Sequence, residues 1–464
     1  MRWHPSLAII IYGSISNELG IQLGRSAFQR VIVGDENSQT NRGFTRPDTV
    51  ATWQASMKVF RLKRALIFTL ASFAVLHGLI FWHLRDSVFR GYLDFASFYT
   101  AGKILQHGKS ASLYDLRLQW QVQQEFAASV KIRTGPLPYI RPPFEALLFL
   151  PFAYLNYPAA FLVWTSIKIV VLFAIPFLLV RETPVDSELL PEPWLQGLLS
   201  LGFYPIALDL LEGQDSILLL LVLALVFTSL RDGSSFRSGV YLGLGLFKFH
   251  LVIPLFLVML LKRKTRTVLG FLCTACVLLL VSLALVGRSA VVAYPEYIWS
   301  LSQTPARIGI NSSVMPNIRG LLTPFLGVGR VPLLVVGALI GVSILGTVCA
   351  ARIWTASDDA ASNRIGFSFS IVVILITSYY TTSYDLALLI LPFLFTGSIF
   401  ATDATVRGWP RWLFVASTTM LLCSPFYFLL LSFGKFFSMT LVLLVFALAL
   451  AKLARIHADE IVAR

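Results

Sequence analysis

The chain has 464 residues, 56% of them hydrophobic and only 13% charged, with a formal net charge of +14. A soluble globular protein gives roughly a quarter of its residues to charge, so this composition excludes a water-soluble fold and points to a membrane protein. The excess of basic residues does not indicate nucleic acid, because they gather at the ends of apolar runs and leave no compact basic domain: Lys58, Arg61, Lys63 and Arg64; Lys262, Arg263, Lys264 and Arg266; then Arg352, Arg364, Arg407, Arg411, Lys452 and Arg455.

Residues 1–56 are mostly polar, and 34–48 are rich in Asn, Asp, Ser, Thr and Arg. The apolar run from Leu7 to Tyr12 is too short to span and has no cleavage pattern after it. We expect 1–56 to be a disordered extension or an over-called start, and 57–464 to be the transmembrane domain. About 20 apolar residues at 1.5 Å rise cross a hydrocarbon core about 30 Å thick. Strand-period alternation is absent, so the predicted fold is an all-α polytopic bundle rather than a barrel.

Hydropathy predicts about twelve spans. They lie near 65–85, 143–155, 158–180, 194–211, 214–231, 238–261, 267–287, 331–353, 365–381, 385–401, 411–432 and 436–455. Two long loops, 86–141 and 288–328, interrupt the series. With the basic clusters in the cytoplasm, both loops face outward and both termini inward, although Arg231 and Arg237 break the rule. Cys273, Cys276, Cys349 and Cys423 all lie in apolar runs, where packing is the simplest role. No disulfide, metal or cofactor is expected.

The loops carry the residues suited to chemistry. Asp94 follows the first span among apolar neighbours, and partial desolvation there would bring a carboxylate towards a general base's range. A helix cap or an ion pair with Arg90 explains the same residue equally well. Tyr99 follows in an aromatic segment suited to the interface. Arg141, after Tyr139 and before Pro142-Pro143, could hold a phosphate with its guanidinium fork or snorkel to headgroups.

Lys248 lies mid-span, where a charge is costly and normally meets a cavity or a partner; Asp209, Glu212 and Asp215 are the candidate partners. Gly213-Gln214-Asp215-Ser216 opens a span and suits polar ligand groups. In the second loop, Asn317 and Arg319 follow Asn311-Ser312-Ser313, a tripeptide that matches a glycosylation acceptor. Tyr384-Asp385 then places a hydroxyl and a carboxylate at a helix junction.

Taken in order, these motifs resemble glycosyltransferase family 87. They are Asp94 before Phe-x-x-Phe-Tyr-x-Ala-Gly, Leu113-Tyr114, Tyr139 with Pro142-Pro143, Gly213-Gln214, Phe247-Lys248, Asn317-x-Arg-Gly and Tyr384-Asp385-Leu386. The resemblance runs from about Asp94 to Pro392. It implies a C-type membrane fold and an inverting transfer of a hexose, mannose in this family, from a polyprenyl-phosphate donor. By the same resemblance the acceptor would be a lipid or glycan hydroxyl on the outer face of the cell membrane.

The resemblance makes Asp94 the catalytic base. Lys248, Arg319 or Arg141 would then hold the donor phosphate, and Tyr99, Tyr139, Gln214, Asn317, Tyr384 and Asp385 would line the substrate site. Arg141 before the proline pair, Phe249 after Lys248, and Ser383 depart from the family pattern and bear on the acceptor and the exact donor. A lipid or sugar transporter would also bury Lys248 and Lys168, but it predicts internal repeats that this sequence lacks.

Overall fold

The structure is a computed structural model that describes residues 48–130, 135–180, 192–302, 312–326, 332–354, 360–402 and 408–463. Asn311, the acceptor residue of the tripeptide, lies outside the described residues, as does most of 1–56. Residues 1–62 form one unit, described from Asp48 onward as helix; residues 63–464 form the other. Among the described residues every regular element is helical. Lipid requires this, since a lone segment there must pair its own backbone groups.

Helix α1 spans Asp48–Phe89, and its stretch Lys63–Phe89 is long and apolar enough to cross a membrane. Six further stretches qualify: Tyr157–Leu178 (α4), Ser235–Leu261, Thr265–Ser302 (α10), Leu333–Ile353 (α12), Ala360–Thr377 (α13) and Phe436–Asp459. Two bent pairs raise the number of spans from seven to nine if each pair crosses once. These are Pro193–Ser200 (α5) with Tyr204–Glu212 (α6), bent by 68°, and Trp409–Leu422 with Ser424–Ser432, bent by 70°. Ser216–Arg231 (α7) and Ser383–Gly397 are apolar but shorter. Large apolar side chains such as Phe68, Trp82, Leu280 and Leu334 stand exposed on the outside, as lipid contact demands.

Seven to nine qualifying spans stand where hydropathy suggested about twelve. The apolar run near 143–155 is a chain of short turns, Pro143–Glu145, Ala146–Phe149 and Pro151–Tyr154. Pro142, Pro143 and Pro151 withhold the N–H groups a continuous helix would need. The first long loop folds into Phe95–Gln106 (α2) and Leu116–Ala127 (α3). In the second, α10 continues past a break at Gly287 (φ 80°, ψ 166°), and Ile318–Leu326 (α11) follows.

Ser235–Leu261 is itself broken. Ser235–Leu244 (α8) ends in a tight turn, Gly245–Lys248, before Phe249–Leu261 (α9). Lys248 leaves the helical region (φ −112°, ψ 56°), so its side chain turns into the bundle. Irregular backbone inside a bundle is tolerated where protein surrounds it, and Lys248 is fully buried.

Candidate active site

Three irregular points meet: the start of α7 at Asp215 and Ser216, the break at Lys248, and the turn beginning at Ser383. The first is shaped by Gly213, which ends α6 in the left-handed region (φ 70°). A Cβ there would lie 2.6 Å from that of Phe95. Trp164 Nε1 donates to the Gly213 carbonyl at 2.9 Å, and the Ser216 N–H donates to Asp209 Oδ2 at 2.8 Å. Asp209 is held in turn by Lys168 at 3.0 Å. This buried second pair is a support beneath the turn that presents Gln214 and Asp215.

Lys248 Nζ lies 2.8 Å from Asp215 Oδ1 and 2.6 Å from Asp385 Oδ1, and it also donates to Ser216 Oγ. Asp385 Oδ2 accepts from the Thr382 N–H and hydroxyl, each at 2.8 Å, and so caps its own turn. Arg141 Nη2 donates to Asp215 Oδ1 at 2.8 Å and to Gln214 Oε1 at 3.1 Å. Gln214 Nε2 donates to Asp94 Oδ2 at 2.7 Å. A continuous polar path therefore leads from Asp94 through Gln214, Arg141 and Asp215 to Lys248 and Asp385.

Asp94 precedes α2, yet its carboxylate makes no capping bond to that helix. Its backbone N–H donates to Glu212 Oε2 at 3.3 Å. Unlike the buried groups behind it, Asp94 is only half-buried.

Burial favours the neutral form of Asp215, but Arg141 and Lys248 outweigh this and hold its carboxyl below the usual range. Burial and then Asp215 push Glu145 well above it. Arg141 is held upward: burial opposes its charge, but Asp215 and Glu145 prevail.

Arg141 owes its position to tyrosines. The carbonyls of residues 139 to 142 each accept a tyrosine hydroxyl: Tyr297 at 3.2 Å, Tyr294 at 2.9 Å, Tyr114 at 2.8 Å and Tyr139 at 3.3 Å, in that order. Gln119 Oε1 takes the Tyr139 N–H at 3.0 Å, and Gln123 bonds both polar groups of Leu137. Buried backbone must find partners. Here side chains supply the partners that a sheet or helix would otherwise provide.

Arg319, on α11, is buried and has no carboxylate partner among the described residues. Its guanidinium lies 4.1 Å from the Tyr379 ring centroid, and neither its Nε nor the Tyr379 hydroxyl has a hydrogen-bond partner among the described residues. Burial draws its pKa downward. Tyr380, next along the chain, lies within electrostatic reach of both Arg319 and Asp94.

The structure thus brings Asp94, Arg141, Gln214, Lys248, Tyr384 and Asp385 together, with the Tyr384 ring 5.1 Å from Lys248 Nζ. Tyr139 reaches Glu145 Oε2 at 3.3 Å. Tyr99 instead donates to the Leu155 carbonyl at 2.7 Å, within an aromatic cluster. Asn317 ties the Ser378 carbonyl to the Gly320 N–H and so joins two loops. The candidate site set read from the sequence left out Glu145, Tyr294 and Tyr297. Glu145 lies four residues after Arg141, a spacing that signals a pair, whereas nothing marked the tyrosines as backbone partners. Among the described residues no group of acidic, His and Cys side chains could hold a metal.

Charged side chains buried where helices break, inside a shell of lipid-facing apolar helices, define an integral membrane protein with a polar site within its bundle. The model of glycosyltransferase family 87 matches residues 139–392, more than half of the chain. The chain belongs to that family and is a membrane glycosyltransferase. The match includes every candidate site residue except Asp94 and Tyr99, which precede it. No curated protein and no solved structure matches the chain.

Proposed function

We propose that the protein moves a hexose, mannose by family resemblance, from a polyprenyl-phosphate donor to an acceptor hydroxyl. The acceptor is a lipid or glycan at the outer face of the cell membrane, and the architecture is the C-type one. The observation that carries this reading is a half-buried carboxylate suited to proton abstraction, Asp94, hydrogen-bonded at 2.7 Å to Gln214 and through it to the buried Arg141 and Asp215.

In the proposed reaction Asp94 takes the acceptor's hydroxyl proton as the acceptor oxygen bonds to the anomeric carbon. The bond from that carbon to the phosphate oxygen breaks, and polyprenyl phosphate departs. Attack from the opposite face turns a β-linked donor into an α-linked product. Arg319 meets the growing phosphate charge, a preorganised electrostatic role. Arg141 and Lys248, already matched by Asp215 and Asp385, fix the scaffold on which the base is held.

The test supplies radiolabelled polyprenyl-phosphate-mannose to membranes holding wild type, Asp94→Asn or Arg319→Ala. Transfer by wild type alone is expected. Undiminished transfer by Asp94→Asn overturns the assignment of the base, and movement of the lipid without bond formation favours a transporter.

A further inference from the structure

Glu145 is buried against the cationic cluster, and the transfer just described gives it no part. It shares Arg141 with Asp215: the guanidinium lies 3.9 Å from Glu145 Oε2 through Nε and 2.8 Å from Asp215 Oδ1 through Nη2. Glu145 Oε1 and Asp215 Oδ2 are both buried and find no hydrogen-bond partner among the described residues, so each has an oxygen left over for one shared proton. Three buried carboxylates, Glu145, Asp215 and Asp385, face two cations, Arg141 and Lys248. Since two ionised carboxylates are acceptors only, a bond between the two free oxygens requires a proton on one of them.

The surroundings decide which. Asp215 Oδ1 touches both Arg141 and Lys248 at 2.8 Å, while Glu145 has only Arg141 Nε, at 3.9 Å. The other ionisable groups around Glu145 are Lys248, which contacts Asp215 rather than Glu145, and three tyrosines: Tyr139 on its own segment, Tyr114 ahead of α3, and Tyr294 on α10. Cations stabilise the anion they contact, so the charge belongs on Asp215 and the proton on Glu145.

We infer that Glu145 stands as a neutral carboxylic acid that donates to Asp215 Oδ2 and acts as a positioning residue for the base. With the acid neutral, Arg141 and Lys248 are balanced by Asp215 and Asp385. Asp215 then aims Arg141 at Gln214, and Gln214 aims at Asp94. The link to catalysis rests on the transferase reading; the protonation state does not.

Glutamine reproduces the acid's shape and its donor, so Glu145→Gln is the diagnostic variant. It should keep transfer within about threefold of wild type, whereas Glu145→Ala should lower kcat about tenfold with little change in donor KM. The second measurement is independent of activity: wild type at neutral pH should show the infrared carbonyl stretch of a protonated carboxylic acid, missing from Glu145→Gln.

The pH dependence of stability has a fixed sign. Glu145 binds its proton more tightly folded than unfolded, so its contribution is complete below about pH 4.5 and is lost as pH rises towards the folded pKa. Glu145→Gln should remove that decline. An unchanged infrared band in Glu145→Gln, or loss of stability in that variant with no acid band in wild type, overturns the inference even if transfer itself is confirmed.

Discussion

Gln214 presents its two amide atoms to opposite partners: Nε2 donates to Asp94 Oδ2 at 2.7 Å, and Oε1 accepts from Arg141 Nη2 at 3.1 Å. The guanidinium therefore fixes which way the amide points, and the amide fixes the rotamer of the carboxylate. Gln214→Ala should lower transfer by roughly 10-fold through loss of orientation. Gln214→Glu should lower it further, because an oxygen would then face the Asp94 carboxylate in place of a donor. Measured kcat for the two variants checks the order; a Gln214→Glu protein more active than Gln214→Ala would contradict it.

Lys248 and Arg319 are both buried cations, yet they should fail differently when truncated. Removing Lys248 leaves Asp215 and Asp385 short of a counter-charge, a loss of about 3–5 kcal/mol in stability for a buried pair. Lys248→Ala should thus reduce the amount of folded protein in the membrane. Arg319→Ala relieves a burial cost and strands no carboxylate among the described residues. It should leave thermal unfolding nearly unchanged while transfer falls by roughly 100-fold. Unfolding in detergent beside a transfer assay separates the two, and equal stability losses would end the distinction.

Gly213 should resist any side chain. A Cβ would lie 2.6 Å from that of Phe95, a rigidly packed neighbour, and φ of 70° is unfavourable for L residues. Gly213→Ala should cost about 1–3 kcal/mol and displace Gln214 as well. A melting temperature equal to wild type would show that α6 can end in another way.

What could be read in the sequence follows from the range of each signal. Apolar length alone marked the all-helical membrane bundle, because lipid leaves few other solutions. The same rule overcounted where prolines break an apolar run, as at 143–155, and it placed Lys248 inside a helix that in fact ends there. The cost of a buried charge made Lys248 conspicuous and named Asp215 among its partners, while Asp385, 137 residues away, was grouped only by its motif. The hydroxyls of Tyr294 and Tyr297 act on a backbone more than 150 residues distant. No local period records such a contact, and in a membrane protein aromatics near span ends already have an ordinary explanation.

Those tyrosines give the last prediction. Residues 139–142 lie outside any sheet, so each carbonyl depends on a single tyrosine hydroxyl, apart from that of Pro142, which also accepts the Glu145 N–H at 3.1 Å. Tyr294 and Tyr297 sit three residues apart, on one face of α10 beyond its break at Gly287. They reach adjacent carbonyls, so one helical turn clamps the segment from one side while Tyr114 clamps it from another. Tyr→Phe keeps the ring and deletes only the hydroxyl. Each of Tyr294→Phe and Tyr297→Phe should cost about 1–3 kcal/mol for a carbonyl left unpaired. The double variant should depart from additivity, because both act on one short segment. Arg141 follows directly, so kcat should fall in parallel with the loss of the clamp while Asp94 stays chemically intact. Thermal unfolding and kcat for the cycle of single and double variants decide the matter, and wild-type values throughout would show that water or another group can replace the hydroxyls.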